Sequence, residues 1–250
     1  MKAPKDCMVL RSDRLIPHGH SLVLDVGDLA DEAHPGQFVE VQCGGQFLRR
    51  PLSICDAEAG RLRVVFEVKG EGTRALAQTR ATETVNVLGP LGHGFSIHGD
   101  RILLVGGGAG AAPLLFAAKR CPGTVHAILG FRSAGTSMLV EAFRSVCPKV
   151  EFVTEDGSLG EQGLVDAPLR RRLSAMRYDR ILACGPRPML KAVSQIAAEY
   201  GVPCQVSMEE RMGCGVGACL VCACKMADGN YKRVCHDGPV FDSREVDFDA

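Results

Sequence analysis

The sequence has no excess of either charge sign: its 250 residues hold 29 Lys and Arg against 29 Asp and Glu. Without a net field there is no general attraction to nucleic acid or to an anionic membrane surface. A long apolar run is also missing. The longest, Ile102 to Ala118, is broken by Gly106, Gly107, Gly108, Gly110 and Pro113 and falls short of a membrane span. No signal-peptide-like stretch follows Met1-Lys2-Ala3-Pro4-Lys5-Asp6, so a cytoplasmic protein with no membrane partner is expected. Internal repeats, low-complexity tracts and long linkers are absent. Cysteine is not scarce, at 12, yet it is too sparse for a small secreted disulfide scaffold. Cys7, Cys43, Cys55, Cys121, Cys147, Cys184 and Cys204 are scattered, which suits small buried hydrophobes in a reducing compartment.

Four other thiols are organised. Cys214, Cys219, Cys222 and Cys235 are spaced Cys-x4-Cys-x2-Cys-x12-Cys, and the opening spacing with one distant fourth thiol is that of a plant-type [2Fe–2S] ligand set. Two irons need four thiolates around one small rhombus. The loop Gly213-Cys214-Gly215-Val216-Gly217-Ala218-Cys219 can wrap it because glycine tolerates unusual backbone angles. Zinc sites usually pair their cysteines in two separate knuckles, whereas here three ligands share one loop. A zinc staple and an inert cysteine-rich loop stand as the competing readings. Cys224 is a spare thiol, but spacing favours Cys222.

Three segments follow one another. Residues 1–98 are expected to form an antiparallel barrel, with strands at Ser21–Val26, Gln37–Val41 and Arg61–Val68 punctuated by Gly and Pro. Within it, Arg50-Pro51-Leu52-Ser53 offers a guanidinium for a pyrophosphate and a hydroxyl for a flavin, or is a solvated strand edge. Lys69-Gly70-Glu71-Gly72-Thr73 leads into a short helix with Thr73 as the expected N-cap. It is either an anion site or an ordinary glycine-rich turn. Leu88 to Phe95 is expected to be a turn closing the barrel, with His93 exposed.

Residues 99–205 alternate strands and helices, which predicts a doubly wound parallel sheet. The expected elements are strand Arg101–Val105, helix Ala111–Arg120, strand 125–130, helix 137–146, strand 150–154, helix 164–176, strand 180–184 and helix 187–200. Gly106, Gly107, Gly108 and Gly110 lie between the first strand and helix, where a dinucleotide pyrophosphate would sit. Cys184-Gly185-Pro186 ends another strand, either beside a nicotinamide or as a plain strand-to-helix turn. Thr154 to Gly160 is an acidic turn or an adenosine contact. Residues 206–250 are too short to hold a core alone and are expected to depend on metal–sulfur bonds.

In this order the motifs resemble the ferredoxin–NADP reductase superfamily. They are Pro35-Gly36-Gln37-Phe38, Arg50 to Ser53, Gly72-Thr73, Gly106 to Pro113 and Cys184 to Pro186. The stretches Glu209 to Cys219 and Val234 to Phe241 narrow this to the electron-transfer subunits of NAD-linked dihydroorotate dehydrogenases. The resemblance implies a flavin-binding barrel, a nucleotide-binding sheet and an iron–sulfur segment. It implies FAD held by Arg50, Pro51, Leu52, Ser53, Glu67, Val68, Lys69, Gly72 and Thr73, and [2Fe–2S] on the four cysteines. NAD is expected at the glycine-rich turn and at Cys184-Gly185-Pro186, with Cys184 near the nicotinamide and flavin. An FMN-containing catalytic subunit is the implied partner, in a heterotetramer with two copies of each chain. Leu52 stands where many superfamily members carry an aromatic ring.

FAD is expected to convert between a two-electron hydride carrier and a one-electron cluster. Exposed Leu220 and Val221 beside the cluster loop are expected at the partner interface. Two other functions compete: the small subunit of an NADH-dependent ferredoxin–NADP reductase, and a non-enzymatic, zinc-stapled interaction protein.

Overall fold

Alternating apolar residues curl the first ninety residues into a closed barrel. In the computed structural model, which describes residues 3–250, its strands are β1 (Lys5–Ile16), β2 (Gly19–Asp25), β3 (Phe38–Val41), β4 (Arg50–Glu58), β5 (Arg61–Glu67) and β6 (Thr84–Leu91). They close in the order β1-β2-β5-β4-β3-β6, every pairing antiparallel. Val39, Val41, Leu52, Ile54, Leu62 and Val64 fill the interior, each worth about 1.5–3 kcal/mol of burial. Because side chains alternate along a strand, residues between these inward ones on β3 and β4, such as Glu40 and Ser53, turn away from the barrel core.

Helix α1 (Glu71–Gln78) bridges β5 and β6. Its N-cap is Gly70 rather than Thr73. Thr73 is the third helical residue, and its hydroxyl oxygen accepts from the Lys69 and Gly70 amides at 3.0 and 3.1 Å. The expected turn from Leu88 is shorter, because β6 keeps its pairing with β3 as far as Leu91↔Phe38.

The next strands are β7 (Arg101–Gly107), β8 (Thr124–Phe131), β9 (Lys149–Thr154), β10 (Glu161–Gln162), β11 (Arg180–Cys184) and β12 (Cys204–Ser207). All six run parallel, with β15 (Val240–Asp242) added antiparallel at the β12 edge. Leu103, Val105, Ile181 and Ala183 face one core with helices α4 (Asp166–Ala175) and α5 (Arg187–Glu199). Ile102, Leu104 and Leu182 face the other, with α2 (Ala111–Arg120) and α3 (Val140–Val146). The sheet is thus covered on both sides, as parallel sheets require. Helix α3 starts later than the pattern suggests, because residues 134–136 form a 3-10 turn and Leu139 enters at φ +63°.

Helix α2 joins the two layers. Phe116 packs into the barrel core, Lys119 pairs with Asp56, and Arg120 donates to the Ala57 carbonyl at 2.5 Å. The chain after β12 does not stand apart. Cys222, Cys224, Met226, Val234, Cys235 and Phe241 share a core with Leu190, Val193 and Ile196 of α5, and a small hairpin, β13 (Ala223–Lys225) and β14 (Tyr231–Arg233), carries part of it. No helix among the described residues is long and apolar enough to cross a membrane.

Candidate functional site

Close backbone approaches gather most of the sequence-predicted residues along one cleft between barrel and sheet. Arg50 lies over the start of α1: a Cβ on Gly72 would stand 2.8 Å from the Arg50 Nε. The guanidinium is aimed by its own hairpin, donating to the Leu48 carbonyl at 2.7 Å. Ser53 pairs with Phe38, and Pro51 with Glu40. At the end of β5, Glu67 pairs with Lys69 at 2.9 Å, and Val68 donates to the His18 carbonyl at 2.7 Å. Gly108, at φ +54°, brings the glycine-rich turn to the Glu67 carboxylate, with its Cβ direction 3.6 Å from Oε1.

The turn after β7 and the turn after β11 meet back to back. A Cβ on Gly107 would lie 2.9 Å from Pro186, and one on Gly185 would lie 3.0 Å from the Gly107 nitrogen. Cys184 sits at this contact. Burial pushes its thiol up to about 12, so it is a neutral, apolar wall rather than a nucleophile. Beyond it, Gly185, Pro186, Arg187 and Leu190 line a cavity of about 330 Å³ together with Met208 to Arg211. Contacts thus link the barrel, through the two glycine-rich turns, to a cavity beside the cysteine segment.

The four predicted thiols sort into two pairs by backbone contact: the Cys219 amide donates to Cys214 Sγ, and the Cys235 amide to Cys222 Sγ, each at 3.4 Å. No three His, Cys, Asp or Glu groups among the described residues converge on a single-ion site. Two pairs of sulfurs suit two irons better than one zinc. Backbone amides point at the sulfurs: Gly217 N to Cys235 Sγ at 3.2 Å, Ala218 N to Cys214 Sγ at 3.3 Å and Cys219 N to Cys214 Sγ at 3.4 Å. Burial pushes the Cys214 thiol up, but the amides of Val216, Cys219 and Ala218 outweigh it and bring it down to about 6. Such donors stabilise thiolate ligands. Gly215 and Gly217 both have positive φ, and Cβ atoms there would strike Glu40 and His236. The donor set and its glycine cradle fit a [2Fe–2S] cluster.

Cys224 is not part of this set. It faces Arg187, whose Nη2 lies 3.8 Å from its sulfur, while the Cys235 amide points to Cys222 Sγ at 3.4 Å.

Two contributors are absent from the sequence expectations. Glu40 is 1% exposed, and its carboxylate oxygens find no hydrogen-bond partner among the described residues. Burial, opposed by Arg49, pushes its carboxyl up to about 7. It lies between the Arg50–Ser53 strand and the Gly215 turn. A single charged residue inside the apolar run Phe38-Val39-Glu40-Val41 was the available signal. Arg187 joins the head of α5 to Glu210 at 2.5 Å and to the Ala250 carbonyl at 2.8 Å. Nothing in the local pattern marks it.

Residues 209–247 match the iron-sulfur cluster binding domain of dihydroorotate dehydrogenase B. The dihydroorotate dehydrogenase B (NAD(+)) electron transfer subunit of Caldanaerobacter subterraneus subsp. tengcongensis is 44% identical over 221 residues, covering 86% of this chain and 87% of the relative. The chain belongs to the family of dihydroorotate dehydrogenase B electron transfer subunits. A second member, from Desulforamulus reducens, is 40% identical over 96% of this chain and 97% of its own length. A solved chain of an NADH-dependent reduced ferredoxin-NADP oxidoreductase superposes with a TM-score of 0.88 at 30% identity, covering 97% of this chain and 90% of that one. Membership in the electron transfer subunit family accounts for the barrel, the parallel sheet and the cysteine segment in one chain.

Proposed function

We propose that this chain carries electrons from a partner subunit that oxidises dihydroorotate to NAD+, using one [2Fe–2S] cluster and FAD. The observation that carries the reading is the placement of the paired thiols. Their loop touches Glu40 on β3, the strand paired with Arg50 to Ser53, so the cluster site and the flavin site share one wall. FAD, which exchanges a hydride with nicotinamide and single electrons with the cluster, supplies the conversion between carriers when bound.

The chain's own groups position and insulate. Arg50 and the amides at the start of α1 would hold the FAD pyrophosphate, and the Ser53 hydroxyl would hydrogen-bond the flavin. Glu67 to Lys69 close the cleft against Gly108. Gly106 to Gly110 leave room for the NAD pyrophosphate, and the half-buried, neutral Cys184 would wall the nicotinamide end. Cys214, Cys219, Cys222 and Cys235 would hold the irons, with backbone amides donating to the sulfurs of Cys214, Cys222 and Cys235. None of these groups acts as a base on the pyrimidine.

The partner is an FMN-containing catalytic subunit, assembled with two copies of each chain. Leu220 and Val221, 62% and 57% exposed beside the outer thiol pair, are the surface it covers. The fold by itself suits a subunit of an NADH-dependent reduced ferredoxin-NADP oxidoreductase equally well. The cluster-domain match and the curated relatives favour the orotate reading.

Co-expression with an FMN subunit tests it. The pair should co-purify and reduce NAD+ with dihydroorotate. Cys219→Ser should remove the cluster's visible absorption and end coupled NAD+ reduction while FAD stays bound. Undiminished coupled turnover in that variant would overturn the relay.

A further inference from the structure

Phe47 is 96% exposed, the barest large apolar side chain among the described residues. Leaving such a ring in water forgoes the stabilisation that burial would bring. The ring is not carried on a loose tip. The Gln46 amide donates to the Cys43 carbonyl at 3.0 Å, Gln42 Nε2 donates to the Gln46 carbonyl at 2.5 Å, and Gln46 Nε2 reaches Glu71 Oε2 at 3.5 Å. On the other side of the turn, a Cβ on Gly44 would lie 3.6 Å from Ala75 Cβ. The hairpin between β3 and β4 is therefore fastened to the first turns of α1.

The same hairpin aims the phosphate ligand. Leu48, the next residue, gives its carbonyl to Arg50 Nη1 at 2.7 Å, and Arg50 lies over Gly72. A flavin cofactor whose pyrophosphate rests on Arg50 and α1 must send its adenosine onward from that point. A flat base has two apolar faces, and aromatic side chains stack on such faces with little regard for base identity.

We infer that Phe47 is the adenine platform of the flavin site, and so the residue by which the chain prefers FAD to FMN. The inference rests on the proposed flavin reading. It assigns the exposed ring to a cofactor rather than to the partner subunit. A ring held by a braced hairpin loses little freedom on stacking, which favours a platform.

The test compares two cofactors on full-length, cluster-loaded protein from which flavin has been removed. FAD and FMN are titrated in by the quenching of flavin fluorescence, for wild type, Phe47→Ala and Phe47→Tyr. Phe47→Ala should weaken FAD about tenfold, or about 1.4 kcal/mol, with FMN affinity unchanged and Phe47→Tyr restoring FAD. Equal FAD affinity in Phe47→Ala and wild type would overturn the platform. Equal losses for FAD and FMN would place the defect at Arg50 and overturn it too. Intact FAD binding with weakened association to the catalytic subunit would give the ring to the partner. Failure of wild type to bind either flavin would instead sink the flavin reading itself.

Discussion

Gly110 and Cys184 touch through their backbones: a Cβ on Gly110 would come within 2.5 Å of the Cys184 carbonyl carbon and 2.7 Å of the Gly185 nitrogen. The obstacle is main chain, which cannot swing aside as a flexible side chain could. Gly110→Ala should therefore push apart the turns after β7 and β11, at a cost of about 1–3 kcal/mol. Thermal unfolding should show a lower midpoint, and NAD titration weaker binding. An unchanged midpoint and unchanged NAD affinity would refute the contact.

Cys222 and Cys224 should behave oppositely. Cys222→Ser removes a sulfur that receives the Cys235 amide, and should lower bound iron and labile sulfide to background. Cys224→Ala removes a thiol turned toward Arg187 and should leave both at wild-type content. Iron analysis on the two purified variants separates them, and iron loss on changing Cys224 alone would reverse the assignment.

Leu220 stands at φ +61° with its side chain 62% exposed. A leucine in the left-handed region is strained, and strain of this kind persists only where the surrounding structure fixes it. Leu220→Glu should weaken association with the catalytic subunit at least about tenfold by placing a charge in an apolar contact. Flavin and iron content should be unaffected. Association measured by light scattering at wild-type strength would remove Leu220 from the interface.

His126 reports on the opposite end of the sheet. It is buried, bonded through Nδ1 to Tyr178 Oη at 2.6 Å, and burial followed by Arg172, Lys149 and Arg101 lowers its pKa below the ordinary 6.5. The unfolded chain thus takes up this proton before the folded one does. Stability from His126 is full above pH 6.5 and declines as pH falls below it. His126→Gln should flatten the acid side of a urea-midpoint profile, and an equally steep acid limb in the variant would contradict this.

Much of this architecture is legible in the sequence because its signals are local. Helix α2 runs from Ala111 to Arg120 as the pattern predicts, and β11 ends at Cys184 as expected. Cys214, Cys219, Cys222 and Cys235 stand out by their spacing without any tertiary information. The unseen parts depend on contacts between distant segments. β15 is a three-residue strand whose only signature is its partner, β12. Thr73 has the chemistry of a cap, but a hydroxyl three residues into a helix can reach back to the same amides. Arg187 is one more arginine at a helix start until Glu210 and the chain end fold against it.

The cysteine segment leaves the sheet at Ser207 and returns at Val240, and these two residues are registered partners on neighbouring strands. The four cysteines thus lie in an insertion whose ends are held together by the sheet, which shortens the loop that remains to be closed around them. The segment is therefore anchored to the sheet by the β12–β15 pairing and by the core it shares with α5, and not by metal–sulfur bonds alone.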